Sequence, residues 1–245
     1  MKISFLTSCM NRCNNLKKTY LENIANSKPT KNIKVEFVLL NYNSKDDLDE
    51  WVNNNLLNAD IDFKYLQTKR PKYFDMSNAK NILGKHASGD ILCWLDADNY
   101  TYDGFVTFLA DNFDKNKNLV FQVSWSKKTS GMCGRIACTK KNFQKVGGYN
   151  EEFTGWGYEE LDFCQRLKSF NCILREIPLR YLGKEENDEK ERMENYAPNI
   201  IKRMPNNHPL SHMQYVSNFK NFNLSKKNIA HGNIIANIKK DWGQL

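Results

Sequence analysis

An apolar run that stops on two acids one residue apart constrains this chain more than any other stretch. Residues 91–98 read Ile91-Leu92-Cys93-Trp94-Leu95-Asp96-Ala97-Asp98. A run of this kind closing on charge predicts a strand buried on both faces, whose carboxyl end opens into a cleft. In open α/β sheets that end is where ligands sit. Carboxylates on alternate residues there suit a hard divalent cation that carries phosphates. Asp47-Leu48-Asp49 and Asp60-Ile61-Asp62 repeat the spacing, but the first falls in an expected helix and the second precedes a strand. Only Asp96 and Asp98 have the context of a site.

The flanking sequence supplies the rest of an α/β sheet. Ile3 to Thr7 and Val35 to Leu40 read as buried strands, with Leu16, Tyr20, Leu21 and Ile24 at helical spacing between them. Ser44 with Asp47 resembles a capping box, opening a helix with Leu48, Trp51, Val52 and Leu56 on one face. Phe63 to Leu66 reads as a short strand, Ser77 as the cap of a helix ending near Gly89, and Asp103 to Phe113 as a further helix. This alternation predicts a mostly parallel central sheet with helices on both faces. After residue 125 the pattern loosens into strand, helix, a Gly147-Gly148 turn and helix. The expected organisation is one domain over 1–200, in halves 1–125 and 126–200, followed by a basic, mainly helical extension over 201–245.

Charge is unevenly spread. The 245 residues carry a formal +8, of which +6 lies in residues 201–245. That segment, with Phe219, Phe222 and Trp242, fits peripheral contact with an anionic membrane surface. No nucleic-acid recognition motif accompanies it, so no nucleic-acid partner is expected. No apolar run approaches the roughly 20 residues of a membrane span, and the first residues turn polar too soon for a signal peptide. Seven cysteines without a Cys-x-x-Cys pair fit neither a disulfide framework nor a zinc site. Cys93, Cys138 and Cys164 are expected as reduced core residues. The expected location is the cytoplasm, with peripheral attachment at the inner face of the plasma membrane.

A second informative stretch runs Gly155-Trp156-Gly157-Tyr158-Glu159-Glu160-Leu161-Asp162-Phe163-Cys164-Gln165-Arg166-Leu167. Two glycines predict a mobile loop around a large ring. Glu159 and Glu160 open a helix, where the backbone dipole favours negative charge. Phe163, Leu167 and Phe170 give that helix an anchoring face, and Asp162 can pair with Arg166 one turn on.

Together these stretches resemble the GT-A-fold glycosyltransferases of family 2 type. The second half is similar to the β-1,4-galactosyltransferase and polypeptide N-acetylgalactosaminyltransferase group. The group pattern is Gly-Trp-Gly-x-Glu-Asp-x-Asp followed by a helix ending in Arg-Leu, and here Glu160 stands in place of the group's Asp. Asp96 and Asp98 match the metal and nucleotide motif. Thr7-Ser8-Cys9-Met10-Asn11-Arg12 resembles the opening loop that holds uridine and phosphate, and Asn78-Ala79-Lys80-Asn81 a segment that also faces the nucleotide. Ser130-Gly131-Met132-Cys133-Gly134-Arg135 resembles the donor-sugar loop. The matches keep the family's order over residues 3 to about 185.

The resemblance implies a GT-A (Rossmann-like) sheet and an inverting, metal-dependent transfer of a hexose or N-acetylhexosamine. The donor would be a UDP-sugar, the acceptor a hydroxyl of a glycan or glycolipid, and the setting bacterial surface polysaccharide synthesis. Asp98, with Asp96, would hold Mn²⁺ or Mg²⁺. Thr7, Asn11, Arg12, Asn78, Lys80, Asp96, Gly131, Gly134 and Trp156 would line the donor site. Glu160 is the expected base, with Glu159 orienting the acceptor. Gly131 would leave room for an N-acetyl group. Relatives often complete the metal shell with a His that has no counterpart near Tyr181 to Lys184; His208 and His212 come later and are the available imidazoles. The competing readings are a catalytically silent nucleotide-sugar binder and a HAD-like phosphatase. The phosphatase pattern sets its nucleophile on an early strand, where this chain has none.

Overall fold

A computed structural model of the protein describes residues 1–186, 189–200, 202–203, 215–238 and 241–245. Strands β1 (Lys2–Cys9), β2 (Lys34–Tyr42), β3 (Asp62–Thr68) and β4 (Ile91–Trp94) pair in parallel in the order β3-β2-β1-β4. They alternate with α1 (Cys13–Asn26), α2 (Leu48–Asn55) and α3 (Met76–His86). Beyond β4 the sheet continues with β7 (Ile136–Thr139), β6 (Leu119–Gln122) and β8 (Ile173–Glu176). β7 runs antiparallel to β4 and to β6, while β8 runs parallel to β6. The strands β6 and β8 therefore point the same way as β4. Their carboxyl ends emerge at the edge where Asp96 and Asp98 lie. A small second sheet pairs β5 (Asn99–Thr101) with β9 (Leu182–Lys184).

The five apolar residues before Asp96 are explained by burial on both faces. Ile91, Cys93 and Leu95 join a core with Leu16, Tyr20, Phe105 and Phe113, from α1 and α4 (Phe105–Lys115). Leu92 and Trp94 point the other way, into a core with Ile82, Phe143, Phe163 and Leu167, from α3, α5 (Lys140–Lys145) and α6 (Glu159–Ser169). Two layers of helix cover one sheet, as the alternation implies. The seven cysteines are all unpaired, and Cys93, Cys138 and Cys164 are buried. Among the described residues no helix is long and apolar enough to cross a membrane.

Two caps differ from expectation. Asp47 occupies the N-cap of α2 without a side-chain cap bond, and the Ser44 hydroxyl instead accepts from the Asn11 N–H at 2.6 Å. Asp75, rather than Ser77, caps α3, its carboxylate accepting from the Asn78 N–H at 2.9 Å. Ser77 lies inside the helix with its hydroxyl buried and unpartnered. For Ser44 a residue at the β1 end took over the hydroxyl, whereas Asp75 caps α3 by a bond only three residues along the chain.

Of the segment expected as a C-terminal extension, the described residues include α8 (Val216–Ala230), which packs on α6. Ser225 donates to Asp162 at 2.7 Å, and Arg166 Nε donates to the same carboxylate at 2.7 Å. Ser217, Asn221 and Ser225, four residues apart, are buried on the face of α8 that meets the rest of the molecule.

Candidate active site

The turn after β4 presents both acids to a cleft of about 400 Å³. Asn99 Nδ2 donates to Asp98 Oδ1 at 2.6 Å, and the Arg12 guanidinium donates to Asp98 Oδ2 at 3.3 Å. The turn itself is fixed from outside: Thr19 donates to the Ala97 carbonyl at 2.7 Å and the Glu185 N–H to the Asp98 carbonyl at 2.7 Å. Asp96 is half-buried among other charged groups. Burial, reinforced by the nearby charges of Asp98 and Glu160 and opposed by Lys80, raises its carboxyl to about 6. A carboxylate beside two others in a poorly solvated pocket binds its proton more tightly than usual for that reason. Gly134 packs against it so closely that a Cβ there would lie 2.1 Å from Asp96 Oδ2, which accounts for the glycine.

Glu160 enters the same cleft from the first turn of α6. Lys80, buried on α3, donates to Glu160 Oε1 at 2.5 Å and to the Gly134 carbonyl at 3.3 Å. Burial alone would pull the ammonium down, but Glu160, Asp96 and Glu159 outweigh it and its pKa is raised. The lysine stays charged and ties the α6 acid to the β4 acids.

Its neighbour Glu159 points elsewhere. It is 3% exposed, and both of its carboxylate oxygens accept from the Gly157 N–H, at 3.0 and 2.9 Å. Burial, with the charge of Glu160 added, raises it to about 8. It does not line the cleft. The sequence pairs the two acids, and the helix turns only one of them toward the cavity.

The remaining expected residues divide in the same way. Arg12, Gly131, Gly134 and Trp156 line the cleft. Thr7 is buried within β1, and Ser8 and Met10 reach the cavity from the same segment instead. Asn11, at φ 54°, braces the loop by bonds to Ser44, Lys45 and Asn195. Asn78 sits behind the wall, accepting from the Tyr42 hydroxyl at 2.9 Å and donating to Glu151 at 3.2 Å. Gly131 adopts φ 81°, and its carbonyl accepts from Asn99 Nδ2 at 3.0 Å. Its identity is set by that left-handed backbone, independently of any room it leaves for a sugar. His208 and His212 lie outside the described residues.

The loop around Trp156 is pinned, contrary to the mobility two glycines imply. Ser217 of α8 donates to the Trp156 carbonyl at 2.9 Å and accepts from its N–H at 3.3 Å. Asn221 donates to the carbonyls of Thr154 and Gly157, at 3.2 and 2.8 Å, and accepts from the Thr154 N–H at 3.1 Å. A Cβ on Gly155 would fall 2.4 Å from Ile200, and one on Gly157 2.6 Å from Asn218. The glycines are required by close packing as well as by φ of 72° and 108°. Asn218, Asn195 and Tyr196 also line the cleft and carried no catalytic signal in the sequence. The signal that was present is the polar stripe Ser217-Asn221-Ser225, at helical spacing on a helix with little apolar surface.

The donor set fits a divalent cation on two carboxylates. Asp96 and Asp98 are hard oxygen ligands on one turn, and no hydrogen-bond donor among the described residues reaches the Asp96 carboxylate. Among the described residues no group of three or more His, Cys, Asp or Glu could hold an ion. Two carboxylates are the usual protein share of an ion that takes its other ligands from phosphates and water.

Solved structures share this architecture. GalNAc-T7, solved with UDP, GalNAc and Mn²⁺, aligns with TM-score 0.65 at 15% identity, over 77% of this chain and 44% of that one. The S. aureus TarS fragment 1–349, in complex with UDP-GlcNAc, gives 0.62 at 14%, over 78% and 61%. The mannosyltransferase PcManGT of Pyrobaculum calidifontis, with GDP-Man and Mn²⁺, gives 0.61 at 13%, over 74% and 55%. This is a GT-A glycosyltransferase fold. Within it, residues 118–192 match a family model described as the N-terminal domain of galactosyltransferase. A stretch of 45 residues is 42% identical to chondroitin synthase of Pasteurella multocida, covering 18% of this chain and 5% of that protein. The chain thus spans less than two thirds of the GT-A structures named above and a small part of the curated relative. The family-model match covers β6 to α7 (Glu189–Glu194), and so includes the Gly155–Leu167 stretch that carries Glu160.

Proposed function

We propose that this GT-A chain is a metal-dependent inverting glycosyltransferase that moves a hexose or N-acetylhexosamine from a UDP-sugar to a hydroxyl of a glycan or glycolipid. The single observation that carries this is Glu160, held by Lys80 in the same cleft as Asp96 and Asp98. UDP, UDP-GlcNAc and Mn²⁺ in the GalNAc-T7 and TarS structures support the donor and the metal class. Mn²⁺ or Mg²⁺ on Asp98 and Asp96 would supply Lewis-acid neutralisation of the leaving diphosphate.

The chain's own groups account for the rest. Arg12, on the β1 side of the acids, adds positive charge beside the phosphates. Lys80 engages one oxygen of Glu160 and fixes its direction into the cleft. The acceptor hydroxyl attacks the anomeric carbon as its proton passes to the Glu160 carboxylate. The bond from that carbon to the diphosphate oxygen breaks, and the electron pair departs with UDP. A positioned base contributes typically 10²–10⁴-fold to such a step. Displacement in one step inverts the centre, so an α-linked donor gives a β-linked product. Glu159, turned away onto the Gly157 N–H, shapes the loop from behind. Lys220, Lys226 and Lys227 are exposed on α8 and support peripheral contact with an anionic membrane bearing the acceptor. Synthesis of a bacterial surface polysaccharide fits that arrangement.

The test is release of UDP from a panel of UDP-sugars with Mn²⁺. Slow UDP release without acceptor and faster release with it is the expected result. Release of inorganic phosphate from simple phosphate esters would replace this reading with a phosphatase. Tight UDP binding with no release from any donor would leave a silent binder.

A further inference from the structure

Trp125 follows β6 and is 73% exposed, yet its side chain lines the cleft. Leu161, the residue after Glu160, is 54% exposed and lines the same cavity. Large apolar groups left open in one cleft mark a surface that something covers. The backbone around Trp125 is fixed even though its ring is bare. The Ser124 N–H and hydroxyl donate to Glu176 at 2.9 and 2.6 Å, and the Ser124 carbonyl accepts from Thr129 at 2.7 Å. On the other side Ser126 bonds Thr129 at 2.7 Å through their hydroxyls. No ring pair or cation among the described residues occupies the indole face.

Sheet order says which end of the cleft this is. Arg12 follows β1 on one side of β4, whereas Trp125 follows β6, beyond β7 on the other side. Both emerge at the edge that carries Asp96 and Asp98, so the acid pair lies between them. With the nucleotide at the Arg12 end, as the proposed function has it, the Trp125 end is left for the second substrate.

We infer that Trp125 is the platform on which the acceptor stacks, and that the acceptor group lying there is a pyranose. A pyranose matches the wall chemically. It presents one face of C–H groups to an aromatic ring and a rim of hydroxyls to polar neighbours, here Gln122 and Ser124, which line the cleft beside Trp125. A ring held by a pinned backbone loses little freedom on binding, which favours its use as an anchor. Trp125 is therefore a specificity-determining residue that selects carbohydrate acceptors. This rests on the glycosyltransferase reading of the same cleft.

The experiment is saturation-transfer NMR and titration of the UDP- and Mn²⁺-loaded protein with methyl α- and β-glycosides of glucose, galactose, N-acetylglucosamine, N-acetylgalactosamine and glucuronic acid. Wild type, Trp125→Ala and Trp125→Phe are compared. Expected is binding of at least one glycoside by wild type, weakened about tenfold in Trp125→Ala and largely restored in Trp125→Phe, as loss and return of one aromatic face would give. UDP affinity should be equal in all three. Binding of no glycoside by wild type, or equal binding by Trp125→Ala, overturns the inference. So does protection of the indole by anionic vesicles without any saccharide response. A donor panel that yields no UDP release, beside Trp125-dependent glycoside binding, would sink the transfer reading alone.

Discussion

Asp96 and Asp98 stand at the end of a strand flanked by β1 and β7, on a turn held by bonds from Thr19, Asn99 and Glu185. Glu160 reaches the same cleft from the start of a helix whose leading loop is held by residues 61 to 67 positions later. One wall is an outcome of strand burial, the other of long-range polar clamping by α8. The difference is visible in the acids themselves. The β4 pair face the cleft together, whereas adjacent Glu159 and Glu160 are separated into a buried brace and a half-buried acid that lines the cleft, the proposed base.

The sharpest break would come from the strand-end wall. Asp98→Ala should lower transfer by about 10³-fold or more, since the leaving diphosphate loses charge neutralisation worth several kcal/mol. Steady-state rates with a UDP-sugar and Mn²⁺ check this, and near-normal turnover would remove the metal reading. Thermal stability should change little, because the strand below remains buried.

On the helix wall, Glu160→Gln should lower kcat by about 10²-fold with donor affinity nearly intact, as an amide keeps the shape but accepts no proton. Glu159→Gln should leave kcat far less affected. A dead Glu159 variant beside an active Glu160 variant would exchange the two roles and contradict the separation of brace and base.

The clamp is probed by Asn221→Ala, which leaves the Thr154 N–H and the Thr154 and Gly157 carbonyls without their partner. A loss of about 1–3 kcal/mol is expected from chemical denaturation, with faster hydrogen exchange confined to residues 154–157. Unchanged exchange there would show that the glycine loop is held without α8.

The smallest effect is a slope. Glu159 is raised from the ordinary carboxyl range to about 8, so the folded state holds a proton that the unfolded chain has released. Its contribution to stability is fully present below about 4.5 and is lost as pH rises toward about 8. Glu159→Gln should flatten Tm between those values. A wild-type Tm that rises over the same interval, unaltered by the substitution, would contradict the burial of this acid.

Much of the nucleotide half was legible because its signals are local and redundant. A strand buried on both faces must be apolar throughout, and helices on both sides of it impose alternation that shows in Leu16, Tyr20, Ile82 and Leu83. The Asp162–Arg166 pair follows from helix pitch and forms at 2.7 Å. The Ser44 hydroxyl was not legible as a tertiary acceptor, since only the folded β1 end brings Asn11 near it, whereas the Asp75 cap of α3 rests on local spacing.

By itself the sequence determined the alternation of the main strands and helices from β1 to β4, the acids at the end of β4 and the acidic start of α6, because periodicity and charge placement act within a few residues. Only the tertiary structure decided that Glu160 faces the cleft and Glu159 does not, that the Gly155–Gly157 loop is clamped, and that Trp125 stays bare. Those outcomes depend on α8, α3 and β8 approaching from distant positions in the chain. Contacts of that range are set by how the helices pack on the sheet, a property no local spacing records.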